Sequence, residues 1–132
     1  MKEARNEALR RLDFVGLSGK KNVPAGSLTI ADRKMLEVAR ALSTKPKIIL
    51  LDEVVAGLNA TETTEAMSLV RRIRDELGVT VFWVEHVMKA VMGVADRVMV
   101  LHHGEKIAEG SPKEVAETKT VIDAYLGEKY IL

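Results

Sequence analysis

The sequence has no cysteine among its 132 residues, which excludes a disulfide framework and a cysteine-based zinc site. Its 20 basic and 19 acidic side chains nearly balance, so we expect no nucleic-acid partner. No apolar run approaches the ~18 residues of a membrane span, and the charged start has no signal-like hydrophobic segment. With 47% hydrophobic and 30% charged residues, the composition predicts a soluble, intracellular globular protein of the α/β type.

Helical periodicity characterises the first third of the chain. Apolar residues at helical spacing predict an amphipathic helix over residues 3–17 and a second helix over 31–43. Pro46 follows the second helix closely, a common position for proline after a helix end.

The pattern then changes to strands that alternate with helices. Continuous apolar runs at 48–51 and 79–84 predict two strands buried on both faces. A helix over 60–77, with Asn59 and Glu62 spaced as a capping box, separates them. A crossover of this length predicts that the two strands run parallel.

The C-terminal third contains shorter elements. The sequence predicts, in order, a helix at 87–94, a strand at 97–101, a hairpin turn at 102–105, a strand at 106–109, a helix near 112–118 and a helix at 119–126 that ends at Gly127. His102, His103 and Glu105 suggest a metal site at first sight. Because adjacent strand residues point to opposite faces, a solvated turn is the better interpretation.

Two acidic residues end the first predicted strand. Asp52 and Glu53 should lie at the carboxyl edge of the sheet, where open α/β folds bind ligands. Asp52 has the oxygen ligands that magnesium prefers, and Glu53 could orient or deprotonate an attacking water. Taken alone, four apolar residues followed by two acids are better explained by a strand that leaves the core and meets polar residues, so the surrounding motifs must decide.

Those surroundings hold four short motifs, at residues 28–32, 48–53, 56–59 and 84–86. In this order and at this spacing they make the whole chain resemble the ATP-binding subunits of ABC transporters. The resemblance implies a signature-like motif at Thr29, Ile30, Ala31 and Asp32, a Walker B strand ending in Asp52 and Glu53, a D-loop at Gly57, Leu58 and Asn59, and a switch histidine at His86.

The implied fold class is α/β, the C-terminal part of a P-loop NTPase core with a largely parallel sheet, plus part of the helical subdomain. Residues 1–45 would be the partial helical subdomain with the signature-like motif. Residues 46–132 would be the C-terminal half of the nucleotide-binding core. The chain has no phosphate loop of the form G-x-x-x-x-G-K-[ST], so we expect it to be inactive alone.

Residues 85–92, 104–112 and 121–128 resemble the branched-chain amino-acid importers, with urea and other amide importers as the alternative. The resemblance then implies ATP and magnesium as cofactors, Asp52 as the magnesium ligand, Glu53 as the general base and His86 as the γ-phosphate sensor. It also implies a second nucleotide-binding subunit and transmembrane permease subunits as partners, at the cytoplasmic face of the membrane. Two other functions remain possible interpretations of the sequence. One is a non-enzymatic module that pairs with another nucleotide-binding subunit, and the other is an ABC-type ATPase acting on chromosomes.

Three residues depart from the pattern of the signature motif. Ile30 and Ala31 replace glycines that would let backbone amides approach a phosphate, and Asp32 replaces a glutamine. We expect the Asp32 carboxylate to repel phosphate.

The resemblance also implies that the strand feeding the phosphate loop lies between strands 48–52 and 79–84. In this chain, either those strands pair directly or another chain fills the gap, because unpaired backbone groups in a buried sheet are costly. We therefore expect a homo-oligomer or a rearranged pairing for the isolated chain.

Overall fold

The computed structural model describes residues 1–126. The chain divides into two compact units, Met1–Val84 and Glu85–Leu132. None of the helices in the described part of the chain has both the length and the apolar character of a membrane span. The predicted end of the last helix at Gly127 lies outside the described residues.

The first unit contains three helices and two strands. They are α1 (Lys2–Phe14), α2 (Ile30–Ser43), β1 (Ile48–Asp52), α3 (Ala60–Asp75) and β2 (Thr80–Val84). Short 3₁₀ turns at Ser18–Lys20 and Ala25–Ser27 connect α1 to α2. The helix α1 ends before the predicted residue 17 because Gly16 takes a φ of +80°, which closes the helix.

Strands β1 and β2 pair in parallel, which confirms the predicted crossover through α3. The register runs from Ile48 beside Thr80 to Asp52 beside Val84. The predicted capping box at the start of α3 is also confirmed, since the Asn59 side chain accepts from the Glu62 amide and the Glu62 carboxylate accepts from the Asn59 amide. The helix predicted over 60–77 ends at Asp75, so Leu77 lies beyond it and is exposed.

The prediction that both strands are buried on both faces is wrong. Burial alternates along β1, where Ile49 and Leu51 are buried while Ile48 and Leu50 are exposed. A strand turns successive side chains to opposite faces, and the described part of the first unit covers one face only. The apolar runs therefore predicted the two strands correctly but predicted their burial incorrectly.

The two strands are hydrogen-bonded neighbours, so the sheet has no gap between them. The Thr80 amide donates to the Lys47 carbonyl at 3.0 Å, and the Glu53 amide donates to the Val84 carbonyl at 2.8 Å, so the ladder continues beyond both ends of the strands. Direct pairing, one of the two alternatives, is confirmed. The need for a second chain to fill a gap disappears, and the oligomeric state stays a prediction.

The second unit packs three short helices on a hairpin. Its elements are α4 (Met88–Val94), β3 (Val98–His102), β4 (Glu105–Gly110), α5 (Pro112–Ala116) and α6 (Lys119–Val121), followed by a π-helical turn at Ile122–Leu126. Strands β3 and β4 pair antiparallel. The predicted turn is confirmed, since His103 and Gly104 have φ angles of +48° and +79°, as in a type I′ turn. The core consists of Met92, Val98, Val100, Val115, Ala116 and Val121.

Candidate functional site

Asp52 and Glu53 lie at the carboxyl end of β1, as predicted, and both are exposed. Asp52 is the last residue of the strand, beside Val84 of β2. Glu53 has a φ of +49°, a left-handed conformation that non-glycine residues seldom adopt. Such a conformation costs free energy and persists only where neighbouring contacts hold it.

Two donors hold the backbone carbonyl of Glu53. The Lys34 ammonium group donates to it at 2.9 Å, and the Ala56 amide donates at 3.1 Å. Lys34 belongs to α2, so its side chain ties that helix to the turn after β1. No local sequence pattern predicts this contact, because 19 residues separate the two partners.

Replacing Lys34 with methionine should lower the free energy of unfolding of the first unit by about 0.5–1.5 kcal/mol, the net contribution of one such hydrogen bond. Methionine keeps most of the side-chain length and removes the donor. Urea denaturation followed by the fluorescence of Trp83 measures the change. Arg40→Met, on the exposed side of the same helix, is the matched control; equal losses in both variants would contradict a specific role for Lys34.

The residues of the predicted D-loop form a turn and a helix cap. Gly57 has a φ of +77°, which favours glycine at this position. The Leu58 amide donates to the Val55 carbonyl at 3.2 Å, and Asn59 is the N-cap of α3. Val54 and Val55 are buried and anchor the segment to the core.

The signature-like residues begin α2. Thr29 is its N-cap, and the Thr29 hydroxyl accepts from the Asp32 amide at 3.1 Å. The Asp32 carboxylate forms an ion pair with Lys20 from the 3₁₀ turn at Ser18–Lys20. This pairing changes the expectation that Asp32 repels phosphate, because the ammonium group of Lys20 offsets the negative charge.

The hydrogen bond from Lys20 lowers the pKa of Asp32 below its ordinary value of 3.8. A carboxyl whose folded pKa is lowered stabilises the fold above its unfolded pKa, and this contribution is lost as the pH falls below that value. We therefore expect the melting temperature of the wild-type protein to fall from about pH 5 to about pH 3. In Asp32→Asn, which has no carboxyl at this position, the fall should be smaller. Thermal melts of both proteins across this range measure the effect. Lys20→Met should flatten it similarly; a slope that survives both substitutions would show that other carboxyls cause it.

His86 lies in the second unit, beside a buried carboxylate. Its side chain is 65% exposed, and its Nδ1 lies 3.7 Å from an oxygen of Glu85, whose own side chain is fully buried. The same Glu85 carboxylate accepts from the His86 amide at 3.1 Å. Glu85 therefore holds the backbone of His86 and lies beside its ring, a contact that the sequence did not indicate.

The geometry of the first unit suits one part of a magnesium site. Magnesium is usually held by one or two carboxylates together with waters and phosphate oxygens. Asp52 offers such a carboxylate at an open sheet edge, and a shallow cleft beside it is lined by Lys34, Glu37 and Leu50, among other residues. Among residues 1–126 no three potential ligand side chains cluster.

Comparison with known proteins finds similarity to ATP-binding subunits of ABC transporters. The family model "Branched-chain amino acid ATP-binding cassette transporter" matches residues 105–131. The high-affinity branched-chain amino acid transport ATP-binding protein LivG of Escherichia coli K12 is 40% identical over 131 residues, which cover 96% of this chain and 51% of LivG. The corresponding protein BraF of Pseudomonas aeruginosa is 40% identical over 127 residues, covering 96% of this chain and 50% of BraF.

Over 96% of its length the chain is similar to ATP-binding subunits of ABC transporters of the branched-chain amino-acid type. It matches their C-terminal half and spans about half the length of the curated relatives it matches. A crystal structure of an ATP-binding cassette of an ABC transporter in its ADP conformation superposes with a TM-score of 0.86 at 31% identity, covering 97% of this chain and 52% of that cassette.

The superposition confirms the α/β fold of a partial P-loop NTPase core. It also corrects the expected order of strands. Because 97% of this chain follows the path of that cassette, β1 and β2 must be neighbours there too, without a strand between them. The direct pairing thus matches the fold of that cassette and needs no rearrangement.

Proposed function

We propose that this chain supplies the hydrolytic part of the ATP-binding subunit of an importer for branched-chain amino acids. The observation that carries this proposal is the pair of exposed carboxylates, Asp52 and Glu53, at the carboxyl end of a parallel strand. Relatives that are 40% identical are named as branched-chain amino acid transport ATP-binding proteins. The names of these relatives support the assignment of the cargo.

Each site residue then has a role that its contacts support. Asp52 would hold magnesium through its carboxylate, and Glu53 would orient the attacking water and accept its proton. His86 would donate a hydrogen bond to the γ-phosphate, where negative charge develops. Bound ATP with magnesium supplies the phosphoanhydride bond whose hydrolysis is coupled to transport.

Two further residues position these groups. Lys34 holds the carbonyl of Glu53 and so supports the left-handed backbone from which the carboxylate extends. Glu85 holds the amide of His86 and lies beside its Nδ1.

The remaining assignments follow from similarity to the family. Residues 29–32 would contact nucleotide as the signature motif, within a partial helical subdomain at 1–45. Residues 57–59 would contact it as the D-loop, within the core at 46–132. The partners would be a second nucleotide-binding subunit and transmembrane permease subunits, at the cytoplasmic face of the membrane. The phosphate loop would come from the half of the subunit that this chain does not span, and the permease subunits would provide the transport pathway.

A chimeric importer tests the proposal. This full chain replaces the matching half of LivG in Escherichia coli cells that lack their own LivG, and the uptake of labelled leucine is measured. We expect uptake to be restored and to be lost in Glu53→Gln and in His86→Ala, while Glu65→Gln on the exposed side of α3 keeps it. Uptake that is insensitive to Glu53, or no uptake from an assembled chimera, would contradict the proposal. Labelled urea in the same cells tests the alternative cargo.

A further inference from the structure

Two histidine side chains meet at the turn between β3 and β4. The sequence predicts a solvated turn here, because adjacent residues of a strand point to opposite faces. In the structure only His102 belongs to β3, and His103 lies in the turn with a φ of +48°. The centroids of their imidazole rings are 4.1 Å apart, with 61° between the ring planes. The turn therefore brings together two rings that an extended strand would separate.

This spacing suits two ligands of a single metal ion. Imidazole nitrogens bind zinc at about 2.0–2.1 Å, so two rings that share one ion at a right or tetrahedral angle have centroids roughly 4.5–5 Å apart. The observed separation is shorter by less than about 1 Å, a difference that small rotations of the two side chains remove. Imidazole is a preferred ligand of zinc, copper and nickel ions, whereas magnesium prefers oxygen. The pair therefore suits a late first-row divalent ion and not magnesium.

The ring of His102 also contacts Tyr125. Their ring centroids are 5.8 Å apart and the ring planes meet at 74°, an edge-to-face arrangement that aromatic pairs favour. The Tyr125 hydroxyl donates to the Leu101 carbonyl, so the tyrosine ring is itself attached to β3. A ligand side chain that neighbouring contacts already position loses less conformational freedom when it binds an ion.

The charges around the two histidines favour a cation. Glu105 pairs with His102 across the β3–β4 ladder, so their side chains lie on the same face of the hairpin and the carboxylate adds negative charge there. Lys106, the nearest basic residue along the chain, forms an ion pair with Glu109 at 2.7 Å. Within residues 1–126 no third ligand side chain completes a cluster, so water would fill the other coordination positions.

We propose that His102 and His103 form a site for a divalent ion of the zinc, nickel and copper class, bound by one nitrogen from each ring and by water. The turn itself does not require an imidazole, since asparagine is the residue that a type I′ turn favours before glycine. The site uses different ligand chemistry from the carboxylate of Asp52. It does not depend on the hydrolysis assigned to Glu53.

Calorimetric titration of the full chain tests the site. The protein is purified without a histidine tag and titrated at neutral pH with Zn²⁺ and with Ni²⁺, in the absence of nucleotide. We expect each ion to bind with a stoichiometry of about one per chain, because both prefer imidazole ligands. An excess of Mg²⁺ should displace neither ion, because magnesium prefers oxygen ligands.

Three substitutions separate the pair from the remaining histidine. His102→Gln and His103→Asn should each weaken the binding of Zn²⁺ by about tenfold or more, since each removes one of the two protein ligands. Asparagine suits the left-handed position in the turn, so His103→Asn keeps the hairpin, and circular dichroism checks the fold of each variant. His86→Gln is the matched control, because it removes the third of the three histidines and should leave the affinity for Zn²⁺ unchanged.

Nuclear magnetic resonance locates the ion directly. Paramagnetic Ni²⁺ at less than one equivalent should broaden the ring-proton signals of His102 and His103 before those of His86. Equal broadening of all three would overturn the proposal, because it would show that single imidazoles bind the ion independently. Zn²⁺ affinity in the His102→Gln/His103→Asn double variant within about twofold of wild type would overturn it too, and so would the absence of any Zn²⁺ binding by the wild-type chain.

Discussion

Replacing Ile73 with alanine is expected to lower the free energy of unfolding of the first unit by about 2–5 kcal/mol, because a large buried side chain is removed and the cavity cannot collapse completely. Ile73 is on the core face of α3 and is 0% exposed. Domains of this size are stable by only about 5–15 kcal/mol, so the loss is a large fraction of the total.

Urea denaturation measures this loss, and the chain has its own probe. Trp83 is the only tryptophan in the sequence and lies on β2, so its fluorescence reports on the first unit. Ile48→Ala is the matched control, because Ile48 is exposed and its truncation should cost about 0.5 kcal/mol or less. Equal losses in the two variants would show that α3 does not pack as described.

Replacing Glu53 with glutamine in the chimeric importer is expected to lower the rate of ATP hydrolysis by about 10²–10⁴-fold, the usual contribution of a general base. Glutamine keeps the size of the side chain and its hydrogen-bonding reach but cannot accept the proton from water. Binding of ATP should persist, because in this family the phosphate loop binds the phosphates of ATP and the substitution does not change that loop. Phosphate release from purified chimera and filter binding of ATP measure the two quantities.

Glu65→Gln is the control for the same reaction, since Glu65 is exposed on α3 and should leave the rate unchanged. A rate in Glu53→Gln within about twofold of wild type would refute the assigned role, because even a weak base contributes more than this. Loss of both binding and hydrolysis would instead indicate that the left-handed turn at Glu53 had collapsed.

Local rules account for most of the elements that the sequence predicted. Helix α3 begins at Asn59 because the capping box satisfies the first amides of the helix, and helix α5 begins after Ser111 for the same reason, with Glu114 completing the box. The hairpin turn at His103 and Gly104 is similarly local. These features depend on residues within a few positions of one another, so they can be read from the chain.

The motif order and the two carboxylates after an apolar strand were likewise visible in the sequence, and they sufficed to indicate the family. The placement of Asp52 and Glu53 at the end of β1 confirms the predicted position. The motifs did not predict which side chains hold these residues in place. Lys34, which holds the Glu53 carbonyl, and Lys20, which pairs with Asp32, both act across loops or elements.

The sequence by itself determined the strand–helix–strand unit, the parallel direction of its strands and the caps, because periodicity, spacing and local hydrogen bonding set each of them. Its four motifs carried the resemblance to the family. The tertiary structure alone decided that β1 and β2 are neighbours, that Leu50 and Phe82 are exposed and that Lys20 offsets the charge of Asp32. An apolar run records which side chains can be buried, but only packing decides which face is covered. A charge likewise has its effect through a partner that only the fold brings near it.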